Sequence, residues 1–224
     1  MKIIKSFSLF IVLALLLSSC VVKSLHAFYT QDLIYFEEQI IGNWTDSEKA
    51  IWSIEPFKEV MLKESKKKVS ELDKDELKIY NNYKDGYLII FEKDSITKST
   101  FLAMPFKIKD QMFLDFTPIE DQESEQSKNN NLYTMHLIKT HTLAKFDINS
   151  NNEINIKWLS SKKLEELLDE NKIKIKHDKV GFDETVLLTA TSEGLVKFIE
   201  KYMNSKDEDK WKTDVEVNLI RTDV

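Results

Sequence analysis

The sequence predicts an α+β fold rich in β-structure: an antiparallel curved sheet, open or closed into a barrel, with two or three helices packed on it. Three observations predict this. Apolar side chains alternate through several short runs, as in Leu102, Met104, Phe106 and Ile108, or Ile154, Ile156 and Trp158, the period of a half-buried strand. Turn residues separate these runs, among them Asp85-Gly86, Lys109-Asp110 and the stretch NSNN at 149–152, which favours hairpins. Two late segments carry apolar residues at helical spacing behind a hydroxyl cap, and stripes that short need a sheet to lie on.

In chain order, the spacing of Leu33, Phe36, Glu37 and Ile40 predicts a short helix from Asp32 to Ile40, with Thr30 as its cap and Gly42 as its stop. WTDSEKAIWSIEPF then reads as a first strand ended by Pro56, because proline removes a ladder donor. Residues 63–78, KESKKKVSELDKDELK, are dense in both charges and read as a solvated loop or exposed helix. Strands follow at YLIIFEK, STFLAMPFKI and QMFLDFTP, the last two forming a hairpin about Lys109-Asp110. DQESEQSKNNN, residues 121–131, has no apolar side chain and is a loop. Tyr133, Met135 and Leu137 share one parity and Ala144, Phe146 and Ile148 the other, so a bulge or turn is expected near Lys139–His141. A hairpin at NSNN leads to EINIKWL, then a helix capped by Ser160 with Leu164, Leu167 and Leu168 as its stripe. IKIKHDKV and TVLLTA read as strands. A helix capped by Thr191 or Ser192 and striped by Leu195, Phe198, Ile199 and Tyr202 comes next, and TDVEVNLIR is the last strand.

The first nineteen residues stand apart. Lys2 and Lys5 precede a nearly uninterrupted apolar run from Phe7 to Leu17, the build of a secretory signal and too short for the roughly 20 residues of a membrane-crossing helix. The expected organisation is a signal peptide at 1–19, a tether at 20–30 where VVKSLHAFYTQ shows no strong period, and a single β-rich domain at 31–224, since no repeat and no linker rich in Pro or Gly divides it. Removing 1–19 takes two lysines and no acid, leaving 30 basic against 38 acidic residues, a formal net of −8. That balance argues against nucleic acid or an anionic lipid surface as a partner. Cys20 is the one cysteine, so no disulfide helps and burial must hold the domain.

Leu17-Ser18-Ser19-Cys20 resembles the lipobox of bacterial lipoproteins. The resemblance implies that Cys20 carries a diacylglyceryl group on its sulfur, that the leader is cut before it and that the new amine is acylated. One acyl chain holds a protein to a bilayer only marginally, at about 0.8 kcal/mol per buried CH₂, and further chains make the anchor durable. The implied place is the bacterial cell envelope, on the non-cytoplasmic side. Val21 stands where an aspartate would favour inner-membrane retention, which points to the outer membrane. FLDFTP, HTLAKF, LLDENKIKIKH and VLLTATSEGLVKFIEKY are also similar to segments of uncharacterised bacterial lipoproteins, a resemblance that brings no activity with it.

IIGNWTD, Ile40 to Asp46, resembles the opening of lipocalin-like barrels, in which the tryptophan closes the barrel floor and a basic residue near the last strand packs over it. The resemblance implies a contact between Trp44 and Arg221, the sole arginine, worth roughly 1 kcal/mol or more if shielded. The expected ligand site, for a small or lipidic molecule inside the curved sheet, comprises Trp44, Phe101, Met104, Phe106, Tyr133 and Arg221. The alternative is a protein-interaction or envelope-assembly module, marked by an apolar patch or open sheet edge instead of a cavity.

Catalytic and metal chemistry find little support. G-x-S-x-G, H-E-x-x-H, the phosphate loop and G-x-G-x-x-G are all missing from a chain with only four glycines, so the reading is non-catalytic, without cofactor or metal. A hydrolase would need His136 or His141 grouped with carboxylates. The two are five apart, on opposite faces of a regular strand, and a structural role is expected for both. Asp147, Asn149 and Asn151 fall at positions one, three and five of a calcium loop, but position twelve is Trp158 where a bidentate glutamate belongs, so a hairpin turn is expected.

Overall fold

Residues 21–94, 97–119 and 136–222 are described by the structure, a computed structural model. The alternating runs become strands β1 (Lys23–Ser24), β2 (Gly42–Thr45), β3 (Ile51–Pro56), β4 (Tyr87–Glu92), β5 (Lys98–Ile108), β6 (Gln111–Ile119), β7 (His141–Ile148), β8 (Ile154–Trp158), β9 (His177–Val180), β10 (Thr185–Leu188) and β11 (Glu216–Arg221). Four α-helices occur among the described residues: α1 (Phe57–Ser65), α2 (Lys74–Tyr83), α3 (Ser161–Asp169) and α4 (Ser192–Met203).

Eight strands pair antiparallel in the order β6-β5-β4-β3-β2-β11-β8-β7, and β7 returns to β6 through Met112↔Phe146 to Phe116↔Thr142. The sheet is therefore a closed, lipocalin-like barrel, which removes the exposed edges that an open sheet would leave. Outside it, β1, β10 and β9 form an annex on β7. β1 pairs antiparallel with β7 (Lys23↔Thr142) and parallel with β10 (Lys23↔Leu187), and β9 is the free edge.

The pleat of β5, β6 and β7 serves two cores. Ala103, Leu114, Phe116, Ala144 and Phe146 face the lumen with Trp44, Trp52, Ile54, Tyr87, Ile89, Ile154, Ile156, Trp158 and Leu219. The opposite parity, Met104, Phe106, Ile108, Phe113 and Leu143, faces outward and is covered by Leu164 and Leu167 of α3, Val186 and Leu188 of β10, and Leu195, Phe198, Ile199 and Tyr202 of α4. The hydroxyl caps form as expected, with Ser160 Oγ accepting the Lys163 N–H and Thr191 Oγ1 the Gly194 N–H.

Several elements depart from expectation. Asp32–Ile40 is not one helix but two 3₁₀ turns, Gln31–Leu33 and Glu38–Ile40, joined by extended chain, and Thr30 makes no capping bond. The segment is pulled straight because Tyr35 N–H donates to Pro105 O (3.1 Å) and Glu37 N–H to the Tyr87 hydroxyl (2.7 Å), tertiary bonds that outweigh a weak local preference. The expected tether is built into the fold: Val22, Ser24 and Phe28 are buried, and β1 lies inside it. The first strand is two, β2 and β3, hinged at Asp46, whose carboxylate accepts from Glu48 N–H, Ala50 N–H and Trp52 Nε1–H. The charged stretch 63–78 holds the end of α1 and the start of α2, so the helices number one more than the upper expectation. Of IKIKHDKV only His177–Val180 is a strand.

Candidate functional site

The floor of the barrel is built from one tryptophan and one arginine. Trp44 is fully buried, and its indole N–H donates to Ile40 O at 2.8 Å. Arg221, paired with Trp44 across β2 and β11, places its guanidinium carbon 4.3 Å from the indole ring centre. Its Nη1 donates to Ile41 O (3.1 Å) and its Nη2 to Gln39 O (2.7 Å), so the guanidinium caps the Glu38–Ile40 turn while covering the ring. Gly42 makes room: its φ is 135°, and a Cβ there would stand 2.7 Å from Arg221 Nη1. Phe36 stacks on Tyr87 at 5.0 Å, and the Tyr87 hydroxyl donates to Glu37 O at 2.9 Å. Burial pushes the Tyr87 phenol well above its ordinary range, which keeps it the neutral donor this floor needs.

The expected ligand residues do not form one site. Trp44 and Phe101 belong to the lumen, whereas Met104 and Phe106 point outward into the second core, where Phe106 stacks on Phe113 at 5.3 Å. The reason is the period of two: 101 differs in parity from 104 and 106, and one strand cannot present both to one cavity. Tyr133 and Cys20 lie outside the described residues. Arg221 lies over the floor, on the side of Trp44 contacted by 39–41. The lumen itself is packed with aromatics, Phe116 against Phe101 at 5.9 Å and against Trp158 at 5.1 Å, and Trp52 against Phe91 at 5.0 Å.

A groove does occur on the outer wall. α1 packs on β3 and β4 and, with the outward faces of β4, β5 and β6, bounds a half-open space of about 590 Å³. Its wall is Phe57, Val60 and Met61 from the helix with Leu88 and Ile90 from β4, and its rim carries Glu64 and Ser65 on one side and Lys98 and Thr100 on the other. The even positions of β4 point outward here because Tyr87 and Ile89 occupy the lumen. In the sequence, YLIIFEK shows apolar residues on both parities, the one sign that this strand has two apolar faces.

The outward face of β6 and β7 holds a second polar constellation. Asp115, 1% exposed, accepts the Phe28 N–H at 2.7 Å, and its other oxygen lies 2.7 Å from His141 Nδ1. Thr117 Oγ1 shares that nitrogen at 3.1 Å. The Asp115 charge, after burial, adds to what holds the neighbouring Tyr29 phenol neutral. Both contacts fall on the same ring nitrogen, whereas a nucleophile relay uses the two nitrogens for different partners. The arrangement instead satisfies a buried carboxylate and fastens the N-terminal segment to the barrel wall. His136 is exposed.

At the Asp147–Trp158 hairpin, Asn149 Oδ1 accepts the N–H groups of Asn151 and Glu153, and Asn152 takes a left-handed φ of 58°, the geometry of a side-chain-mimicked turn. Groups of three or more His, Cys, Asp or Glu able to hold a metal do not occur among the described residues. Comparison with protein-family models, with curated proteins and with solved structures finds no match.

Proposed function

We propose that the chain is a bacterial envelope lipoprotein, anchored through an acylated Cys20 and directed to the outer membrane, whose barrel carries a small amphipathic ligand in the groove beneath α1. The observation that carries the ligand reading is the groove itself. Its volume, about 590 Å³, falls in the range of small-molecule sites, and apolar walls with a few polar groups at the rim are what such sites use. The lumen is the poorer host, because Trp44 and Arg221 close its floor and aromatic rings fill it. An apolar chain against Val60, Met61, Leu88 and Ile90, with an anionic head at Lys98, matches the groove's chemistry. The anchor rests on the lipobox alone.

Native mass spectrometry of the mature protein purified from its own host tests the ligand reading. A retained small mass that disappears in Ile90→Trp, which fills the groove, supports it, and a clean apo species in the wild type argues against it. A co-purifying protein would favour the interaction module, for which the free edge of β9 is the relevant feature. Incorporation of labelled palmitate, lost in Cys20→Ala, tests the anchor separately.

A further inference from the structure

The segment that leads into and forms β9 opposes the acidic character of the rest of the chain. Residues 172–180, KIKIKHDKV, hold four lysines against one aspartate, in a chain whose formal net charge is −6. Ile173 and Ile175 turn in to pack on the outer core, and Lys174 and Lys176 are left exposed. Lys172 is paired with Glu170 at 2.8 Å and Lys179 lies 4.0 Å from Glu184, but Lys174 and Lys176 form no ion pair among the described residues. Just beyond, the β9–β10 hairpin exposes Val180 and presents Phe182 at its tip, wholly in solvent. A fully exposed phenylalanine at the hairpin tip and uncompensated lysines at the far end of β9, where Thr189 N–H donates to Lys176 O, are groups that a bilayer interface takes up.

The strand register says where this hairpin lies relative to the chain's start. β1 and β10 are parallel, with Lys23 opposite Leu187 and Ser24 opposite Leu188. Going back along both strands by the same register, Val21 is level with Thr185, at the end of the annex where the 181–184 turn lies. The Lys23 ammonium is near enough to that turn to help hold the Asp183 carboxyl below its usual range, after the Thr185 hydroxyl and backbone bonds that do so first. Cys20 is joined directly to Val21. The exposed Phe182 and Val21, the first described residue, thus fall at one end of the annex.

We propose that this face is a second membrane contact: Phe182 and Val180 enter the headgroup layer of a bilayer containing anionic phospholipid, Lys174 and Lys176 meet its phosphates, and the annex lies against the surface to which an acylated Cys20 would hold the chain. The inference rests on the reading that Cys20 is acylated. Each lysine near an anionic surface adds attraction that decays within a Debye length. Asp178, Asp183 and Glu184 oppose it, Asp183 being occupied by the Thr185 hydroxyl at 2.7 Å and Glu184 lying near Lys179.

The mature, host-processed protein, reconstituted in vesicles of zwitterionic and anionic phospholipid, tests this. When Cys20 is acylated, Phe182→Cys supplies the only free thiol, and an environment-sensitive fluorophore there should shift to the blue and be quenched by nitroxide-labelled acyl chains. The same label at Lys78, exposed on α2, should stay water-like. Lys174→Gln with Lys176→Gln should reduce the quenching at 182, and zwitterionic vesicles should do the same. Water-like emission at 182, or equal immersion at 78 and 182, overturns the proposal while palmitate incorporation leaves the anchor standing. If palmitate does not incorporate, the anchor reading fails, and Cys20→Ala with Phe182→Cys and the same vesicles decides the surface contact by the same emission criterion.

Discussion

Arg221 and Trp44 are 177 positions apart in the sequence and in direct register in the sheet, the guanidinium covering the indole and holding the two carbonyls of the turn beside it. Stacking and hydrogen bonding are separable here. Arg221→Ala removes both and is expected to cost about 1 kcal/mol in unfolding free energy, since the Arg221 side chain is exposed, where a cation–π contact is worth about 0.5–1 kcal/mol, and the carbonyls lose a charged donor. Arg221→Lys keeps the charge but not the planar fork, and should recover less than half of the loss. Denaturant titrations of the three proteins check the order.

Asp115→Ala is expected to destabilise by about 3 kcal/mol, because it strands the buried Phe28 N–H along with His141. His141→Ala should cost less, as that side chain is 25% exposed and water can replace part of what is lost. A double-mutant cycle should return a coupling energy clearly above the few tenths of a kcal/mol seen for independent sites; additive losses would show that the pair does not act as a unit.

Helix α2 should lose its support in acid. Backbone bonding to Glu76 holds the Asp73 carboxyl below its ordinary 3.8, and the Lys67 ammonium holds Glu76 below its ordinary 4.5. Folded-state values lowered in this way mean that the contribution is complete above the ordinary values and disappears as pH falls through the folded ones. Glu76→Gln should therefore be less stable than the wild type at neutral pH and indistinguishable from it in strong acid, with a gap that salt narrows because these groups are exposed. Unfolding curves at a series of pH values read this directly.

Filling the groove should separate ligand uptake from folding. Ile90→Trp places its bulk against Val60 and Met61 on the outside of β4 and leaves the Ile89 side of the strand undisturbed. Binding of an apolar fluorescent probe should fall at least tenfold with little change in Tm. Unchanged binding would locate the site elsewhere.

Much of this architecture is legible in the sequence. The alternation of Leu102, Met104, Phe106 and Ile108 gives β5 its face, and Ser160 and Thr191 mark α3 and α4. The Trp44–Arg221 contact is implied by the lipocalin-like resemblance and is present. Less legible is which side of the sheet is the inside. β5 is apolar on both parities, so alternation identifies Met104 and Phe106 as sharing a face without saying that the face looks outward onto α4. Residues 21–30 show no period because successive side chains go to different neighbours: Val22 and Phe28 enter the outer core, while Ser24 Oγ donates to Leu188 O. Asp115 reads as an ordinary polar position in FLDFTP, and nothing local signals that Phe28 and His141 converge on it. The groove is invisible because most of α1 lies at 57–62, between Pro56 and the charged stretch, where the sequence reading assigns no element.

The wall formed by β5, β6 and β7 is shared by two cores, one filling the barrel and one lying under α3, α4 and β10. Neither can come apart without exposing the back of the other, so lumen and outer layer should melt as a single cooperative unit instead of in stages. Amide exchange would then be slowest along Phe113–Phe116 and Leu143–Phe146, and a methyl deleted on either side of that wall would speed opening on both.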